Sequence, residues 1–184
     1  MGKISVEMFC KNYKAQEKGH DRTFMDFLKK HIVVDYIPYM QKDAICAGLI
    51  KATCHVKVGN ENNEREIIKI NSGNRYLLFI MRLIQLYTDI DIEEKHVVEQ
   101  YDELKKIGAI DVLINGIPEN DFECIPHSEY TEFTTLLNMK LGDFIDNEYN
   151  TTALLYNMRQ SFSLSEEVIT SALEKVIKSV LDKE

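Results

Sequence analysis

The sequence predicts a mostly α-helical, multi-helix single domain around a central buried helix, with one small β-hairpin. Three observations lead there. Glycine and proline are scarce, at 8 and 3 of 184 residues, whereas an all-β sandwich needs many turns and more of both. Apolar residues recur at three- and four-residue steps through most of the chain. Residues 71–90, NSGNRYLLFIMRLIQLYTDI, form the most apolar window and have the length of a central helix. A chain of this size suits one domain. Its hydrophobic fraction of 45% is enough for a core without disulfide or metal staples.

The elements follow in order. Residues 4–18 read as a helix, with Val6, Phe9, Cys10 and Tyr13 on one face and Gly19 as its stop. Asp21 or Thr23 suits the cap of a second helix, TFMDFLKKHI, whose stripe is Phe24, Phe27, Leu28 and His31. VVDYIPY is extended, and Pro38 opens a third helix at a position that needs no amide donor. Residues 39–54 place Met40, Ala44, Ala47 or Gly48, and Ile50 on a compact face, where small side chains let another helix approach closely. Around the polar tip GNENNE, Val56 and Val58 alternate with polar neighbours, as do Ile68 and Ile70, which marks residues 55–70 as the hairpin. Beyond the central window, residues 92–106 read as a helix stopped by Gly108, and residues 109–114 as a short helical turn ended by NGIP. Residues 119–130 are acidic and loop-like. Residues 129–147 carry Phe133, Leu136, Leu137, Leu141 and Phe144 on one side, and a last helical region begins at residue 151.

The central window is too interrupted for a membrane span, which needs about 20 largely uncharged residues. Arg75, Arg82 and Asp89 recur every seven residues and share one face, with Gln85 close by. Leu77, Ile80, Met81, Ile84 and Tyr87 form one apolar flank; Tyr76, Phe79, Leu83 and Leu86 form another. Such a helix belongs inside a core, with its narrow polar strip as the only part that reaches a partner. Asn71 or Ser72 supplies its cap. Arg82 reaches solvent along its stem or meets a carboxylate; the sharper alternative is an anion or carboxylate contact at a groove.

Charge is unevenly distributed. Residues 1–118 hold 17 Lys plus Arg and 17 Asp plus Glu, while residues 119–184 hold 5 and 13 and so carry the whole net charge of −8. An acidic third disfavours direct nucleic-acid binding, which needs cations to displace counterions. It suits a basic partner or a solubilising face. The start, MGKISVEMFCKNYKAQ, lacks the apolar stretch of a secretory signal. The expectation is a protein not secreted by a signal peptide, with Cys10, Cys46, Cys54 and Cys124 as reduced thiols in a cytosol.

Chemistry-bearing patterns are weak. Cys46, Cys54 and His55, with Cys124 and His127, lack the paired spacing that delivers four zinc ligands. The run TDIDIEEKH clusters four carboxylates without the central glycine of a calcium loop; helix capping, with Asp91 as cap, explains it better. No phosphate-binding glycine loop, HExxH or GxSxG occurs. No catalytic, cofactor-binding or metal-ligating residue is assigned, and no cofactor is expected.

The segment SLSEEVITSALEKVIKSVLDKE places Ile169, Leu173, Val176 and Val180 at 4-3-4 spacing. That amphipathic stripe suits docking on its own core or pairing with a second copy of the chain. The expected contact residues are therefore Arg75, Arg82, Asp89, Ile169, Leu173, Val176 and Val180.

FLKKHIVVDYIPYMQKDAICAGLI, then NSGNRYLLFIMRLIQLYTDI, then YDELKKIGAIDVLINGIPEND, resembles a group of small phage and prophage proteins of low-GC Gram-positive bacteria. A KxHI-like stretch, an NSxxRY-like helix ending in YTDI and an IPEN-type turn recur there in the same order. The resemblance spans roughly residues 20–150 and brings no catalytic residues. It implies a gene neighbourhood of virion assembly, and with it a place in the cytoplasm of a bacterial host or in a virion. The expected function is a non-enzymatic phage protein acting by protein–protein contact, in virion assembly or as a virion component. The alternatives are a phage-encoded inhibitor of a host nucleic-acid-binding enzyme that uses the acidic face, and a small enzyme or metal protein.

Overall fold

The computed structural model describes residues 2–16, 22–58, 65–151 and 155. The chain divides into two compact units, Met1–Leu141 and Gly142–Glu184. The structure is mostly helical, as the sequence predicts. In order, the elements are β1 (Ile4–Ser5), α1 (Val6–Gln16), α2 (Arg22–His31), α3 (Tyr39–Cys54), β2 (His55–Val58), β3 (Arg65–Ile68), α4 (Ser72–Tyr87), β4 (Ile90–Asp91), α5 (Val97–Lys106), α6 (Ala109–Asn115) and α7 (His127–Phe144).

In the first unit α4 packs against α3, α5 and α6, and α1 packs against α2 and α5. Phe79, Ile80, Met81, Leu83, Ile84 and Tyr87 of α4 are buried. The Asn71 side chain accepts the Asn74 N–H at 3.0 Å and caps the helix, as expected. The first turns of α4 differ from expectation. Tyr76 is exposed, with its ring edge-on to Tyr101 at 6.5 Å, so only the second half of α4 is enclosed. Aromatic packing closes the other side: Tyr13 meets Phe24 edge-on at 5.2 Å, and Phe9 stacks on Phe27 at 5.6 Å.

The predicted hairpin is present, β2 pairing antiparallel with β3 from His55↔Ile68 to Val58↔Arg65. A second, parallel pair is not anticipated by the sequence: Ile4↔Ile90 and Ser5↔Asp91. It forms because the Ile4 N–H reaches the Asp89 carbonyl at 2.9 Å, which pins the start of the chain to the end of α4. The first helix therefore begins at Val6 rather than at residue 4. Asp91 is not a helix cap: its carboxylate takes the exposed Lys3 ammonium at 2.9 Å, and α5 starts only at Val97.

Gly116 ends α6 at φ 71°, and a Cβ there would lie 2.2 Å from the Phe122 carbonyl oxygen. Only glycine meets both demands. The tight reversal brings Ile117 onto Phe122 (N–H to carbonyl, 2.7 Å) and aims the chain at α7. That helix starts two residues earlier than the apolar stripe suggests, because the Glu123 carboxylate accepts the His127 N–H at 2.9 Å. In the second unit the end of α7 gives way to a π turn over Ile145–Tyr149. Among the described residues no helix is long and apolar enough to cross a membrane.

Candidate functional site: the two faces of α3

The sequence assigns the compact face of α3 to Met40, Ala44, Ala47 or Gly48, and Ile50. The structure overturns most of that assignment. Ile50 is buried, but Met40 is 75% exposed, and Ala44, Ala47 and Gly48 all face outward. The inward face is instead Lys42, Cys46, Leu49, Ile50, Thr53 and Cys54.

Lys42 is 0% exposed. Its ammonium donates to Glu129 Oε1 at 2.7 Å and to Glu132 Oε2 in a close ion pair. It lies 5.1 Å from the Tyr36 ring centre and 5.8 Å from that of Phe133, within the range of cation–π attraction. The other oxygen of Glu129 accepts the Tyr87 hydroxyl at 2.5 Å and the Ile37 N–H at 3.0 Å. One carboxylate in the first turn of α7 thus ties down α3, α4 and the extended segment that precedes α3. The sequence places Glu129 where an acidic, loop-like stretch meets the next helix; the structure buries it to 5% exposure.

Burial alone pushes the Glu129 carboxyl up. The bonds from Lys42, Tyr87 and the Ile37 amide outweigh it and hold the group below the usual carboxylate range. Burial works to lower Lys42, but Glu129 and Glu132 hold its ammonium above the ordinary value. Burial, reinforced by the carboxylate it bonds, pushes the Tyr87 phenol well up. The cluster is therefore a fixed cation, a fixed anion and a neutral phenol. None exchanges its proton near neutral pH, which suits a structural clamp rather than a general acid or base.

The outward face of α3 is different. Of its exposed residues only Lys51 is charged; the others are Tyr39, Met40, Gln41, Ala44, Ala47, Gly48 and Ala52. Two adjoining depressions run along this face. The first, about 450 Å³, lies between Gln41, Ala44, Ile45, Gly48, Leu49 and Arg82. The second, about 380 Å³, is lined by Ala52, Leu78, Met81, Gln85, Ile92, Glu94 and Val97. Leu49 and Arg82 line both, so they form one trough between α3 and α4 with Arg82 at its middle. A Cβ built on Gly48 meets nothing within 4 Å, so the trough is open there.

The predicted contact strip comes apart. Arg82 is exposed, and its Nη1 donates to Gln85 Oε1 at 2.7 Å. Arg75 is half-buried: Nη2 reaches Ser72 Oγ at 3.5 Å, and Nη1 is buried with no hydrogen-bond partner among the described residues. Asp89 lies beyond the end of α4 and turns inward, its carboxylate 2.8 Å from His31 Nδ1, with both side chains mostly buried. Phe27 and Phe9 stand edge-on to the His31 ring at 4.8 and 5.4 Å. The seven-residue spacing fails at Asp89 because helical geometry stops at Tyr87. Ile169, Leu173, Val176 and Val180 lie outside the described residues.

The cysteines and histidines weighed as metal ligands do not gather, and no group of three suitable side chains occurs among the described residues. The Cys46 thiol donates to the Phe133 carbonyl at 3.7 Å. Burial pushes Cys46 up to about 11 and Cys124 up to about 12, so both stay protonated thiols. No family model, no curated protein and no solved structure matches this chain.

Proposed function

We propose that this chain is a non-enzymatic phage protein that works by protein–protein contact, in virion assembly or as a virion component. The observation that carries the contact reading is the outward face of α3. Water-facing helix surfaces are ordinarily rich in charge; here the exposed positions bear a single lysine and border an open apolar trough. Exposed Val33, Tyr36, Tyr39 and Met40 extend the apolar character into and beyond the start of the helix. The phage assignment rests on the resemblance of residues 20–150.

Mass spectrometry of purified virions tests the assignment. Stoichiometric copies support a virion component, and transient association with assembly intermediates supports an assembly factor. Presence in neither sinks the reading. Val176→Asp in the C-terminal amphipathic segment should lower the oligomeric mass seen in light scattering; an unchanged mass with intact folding removes that segment as a self-contact.

The acidic balance of residues 119–184, 13 acidic against 5 basic, favours one alternative. A phage-encoded inhibitor could present this surface to a basic, nucleic-acid-binding host enzyme. Its binding would weaken steeply with salt. A host-lysate pulldown showing no salt-sensitive basic partner rules it out.

A further inference from the structure

We propose that the trough between α3 and α4 seats one amphipathic helix of a partner protein, with an Asp or Glu of that helix bound by Arg82. This rests on the reading that the chain works by protein contact and names the chemistry of the partner.

Three features converge on that occupant. The first is shape. From Gln41 to Ala52 the trough follows α3 for about 16 Å, or three turns at the helical rise. Its floor at Ala44, Gly48 and Ala52 repeats every four residues and carries no side chain beyond a methyl. Such a floor admits a helix at close range, and the open space above Gly48 leaves room for its side chains. The second is polarity. Half-buried Ile45, Leu78 and Val97 give the trough its accessible apolar area, so the partner must present an apolar stripe.

The third feature is charge. A guanidinium has five N–H donors in a planar fork. Arg82 spends one on Gln85, its only hydrogen bond among the described residues. The rest stand at the shared boundary of the two depressions, where a docked helix would cover them. Covering an arginine without a partner is costly, whereas a carboxylate takes two of its donors at once. Gln85 is itself anchored to the Ile92 carbonyl at 3.4 Å, which fixes the arginine's neighbour in place. Glu94 lines the second depression but not the first and repels a further acid there, so one acid at Arg82 is favoured over an acidic run.

The test selects a displayed library of helical peptides, randomised on one face, against the full chain. Enriched peptides should share an apolar stripe holding a single Asp or Glu. Their affinity, read by fluorescence anisotropy, should fall about tenfold or more in Arg82→Glu. Replacing the peptide's acid by Lys should restore binding to that variant. Gly48→Leu, which fills the open space, should abolish binding while circular dichroism stays that of the parent and thermal melting is no lower. Failure to enrich any peptide overturns the proposal. So does retained affinity in either variant, or enrichment of sequences without the acid. If the trough fails while the protein is still found in virions, the contact has been placed on the wrong surface and the broader reading stands. Absence from virions and from assembly intermediates would remove the phage reading without touching the peptide result.

Discussion

One face of α3 carries Lys42, wholly buried, with two carboxylates, two aromatic rings and, through Glu129, a phenol and a backbone amide around it. The other carries Ala44, Gly48 and Ala52 in the open, beside a single arginine with donors to spare. The same helix therefore places its most demanding polar group inside and its least demanding residues outside. Burying an ion pair contributes little net stability compared with an apolar replacement, but removing one partner is severe. Exposing alanine and glycine costs little either way. The inward face fixes where α3, α4 and α7 meet within the first unit, and the outward face is free to serve something else.

The contrast can be broken at several points. Lys42→Ala leaves Glu129 buried without its cation, and should cost about 3–5 kcal/mol in urea unfolding. The double variant Lys42→Met/Glu129→Gln should cost clearly less than the two single losses added together. Additive losses would show that the pair is not coupled. Tyr87→Phe removes one of the two donors to Glu129 Oε2 and should cost about 1–3 kcal/mol.

Titration offers a probe without mutation. Because Glu129 is held below its ordinary value near 4.5, its contribution is present above that pH and is lost as pH falls through its folded value. Lys42 and Tyr87 are raised above ordinary values of 10.5 and 10.0, so their contributions hold below those pH values and fade as pH rises further. Stability should therefore plateau between the two limits. The acid limb should be shallower in Glu129→Gln; an unchanged limb would place the titrating group elsewhere.

The outward face should answer differently. Gly48→Ala has space for its methyl and adopts the helix more readily, so a gain of about 0.5–1 kcal/mol is expected in the same urea experiment. Loss of stability there would mean that the face is not open. Met40→Lys should be the smallest change, within about 0.5 kcal/mol.

Much of the helical layout was legible in the residues. Asn71 caps α4 as its side chain suggests, α3 spans residues 39–54 as Pro38 implies, and Gly108 and Gly116 stop their helices at positive φ. These are local effects, decided by a side chain or a backbone preference within a few residues. The β1–β4 pair was not legible, because it joins residues far apart in sequence through backbone pairing that any residue types could make. Asp91 misled for a related reason: a carboxylate before a helix caps it only if nothing else claims it, and Lys3 does.

The site was the least legible part. Arg82 was identifiable as a cation in an apolar helix that reaches solvent along its stem, and it is exposed. Lys42 and Glu129 were not, since a lysine between glutamine and aspartate and a glutamate in an acidic run both look solvated. Only the approach of α7 to α3 reveals them, and no local pattern encodes a pairing across 87 residues. Sequence by itself determined which segments are helical and that α4 lies near the centre, because propensity, capping and apolar period act locally. Tertiary structure alone decided which face of α3 turned inward. Its two faces differ little in hydrophobicity, so the choice fell to the one that could satisfy a buried ammonium and fill space around it, and the small residues were left to form the trough.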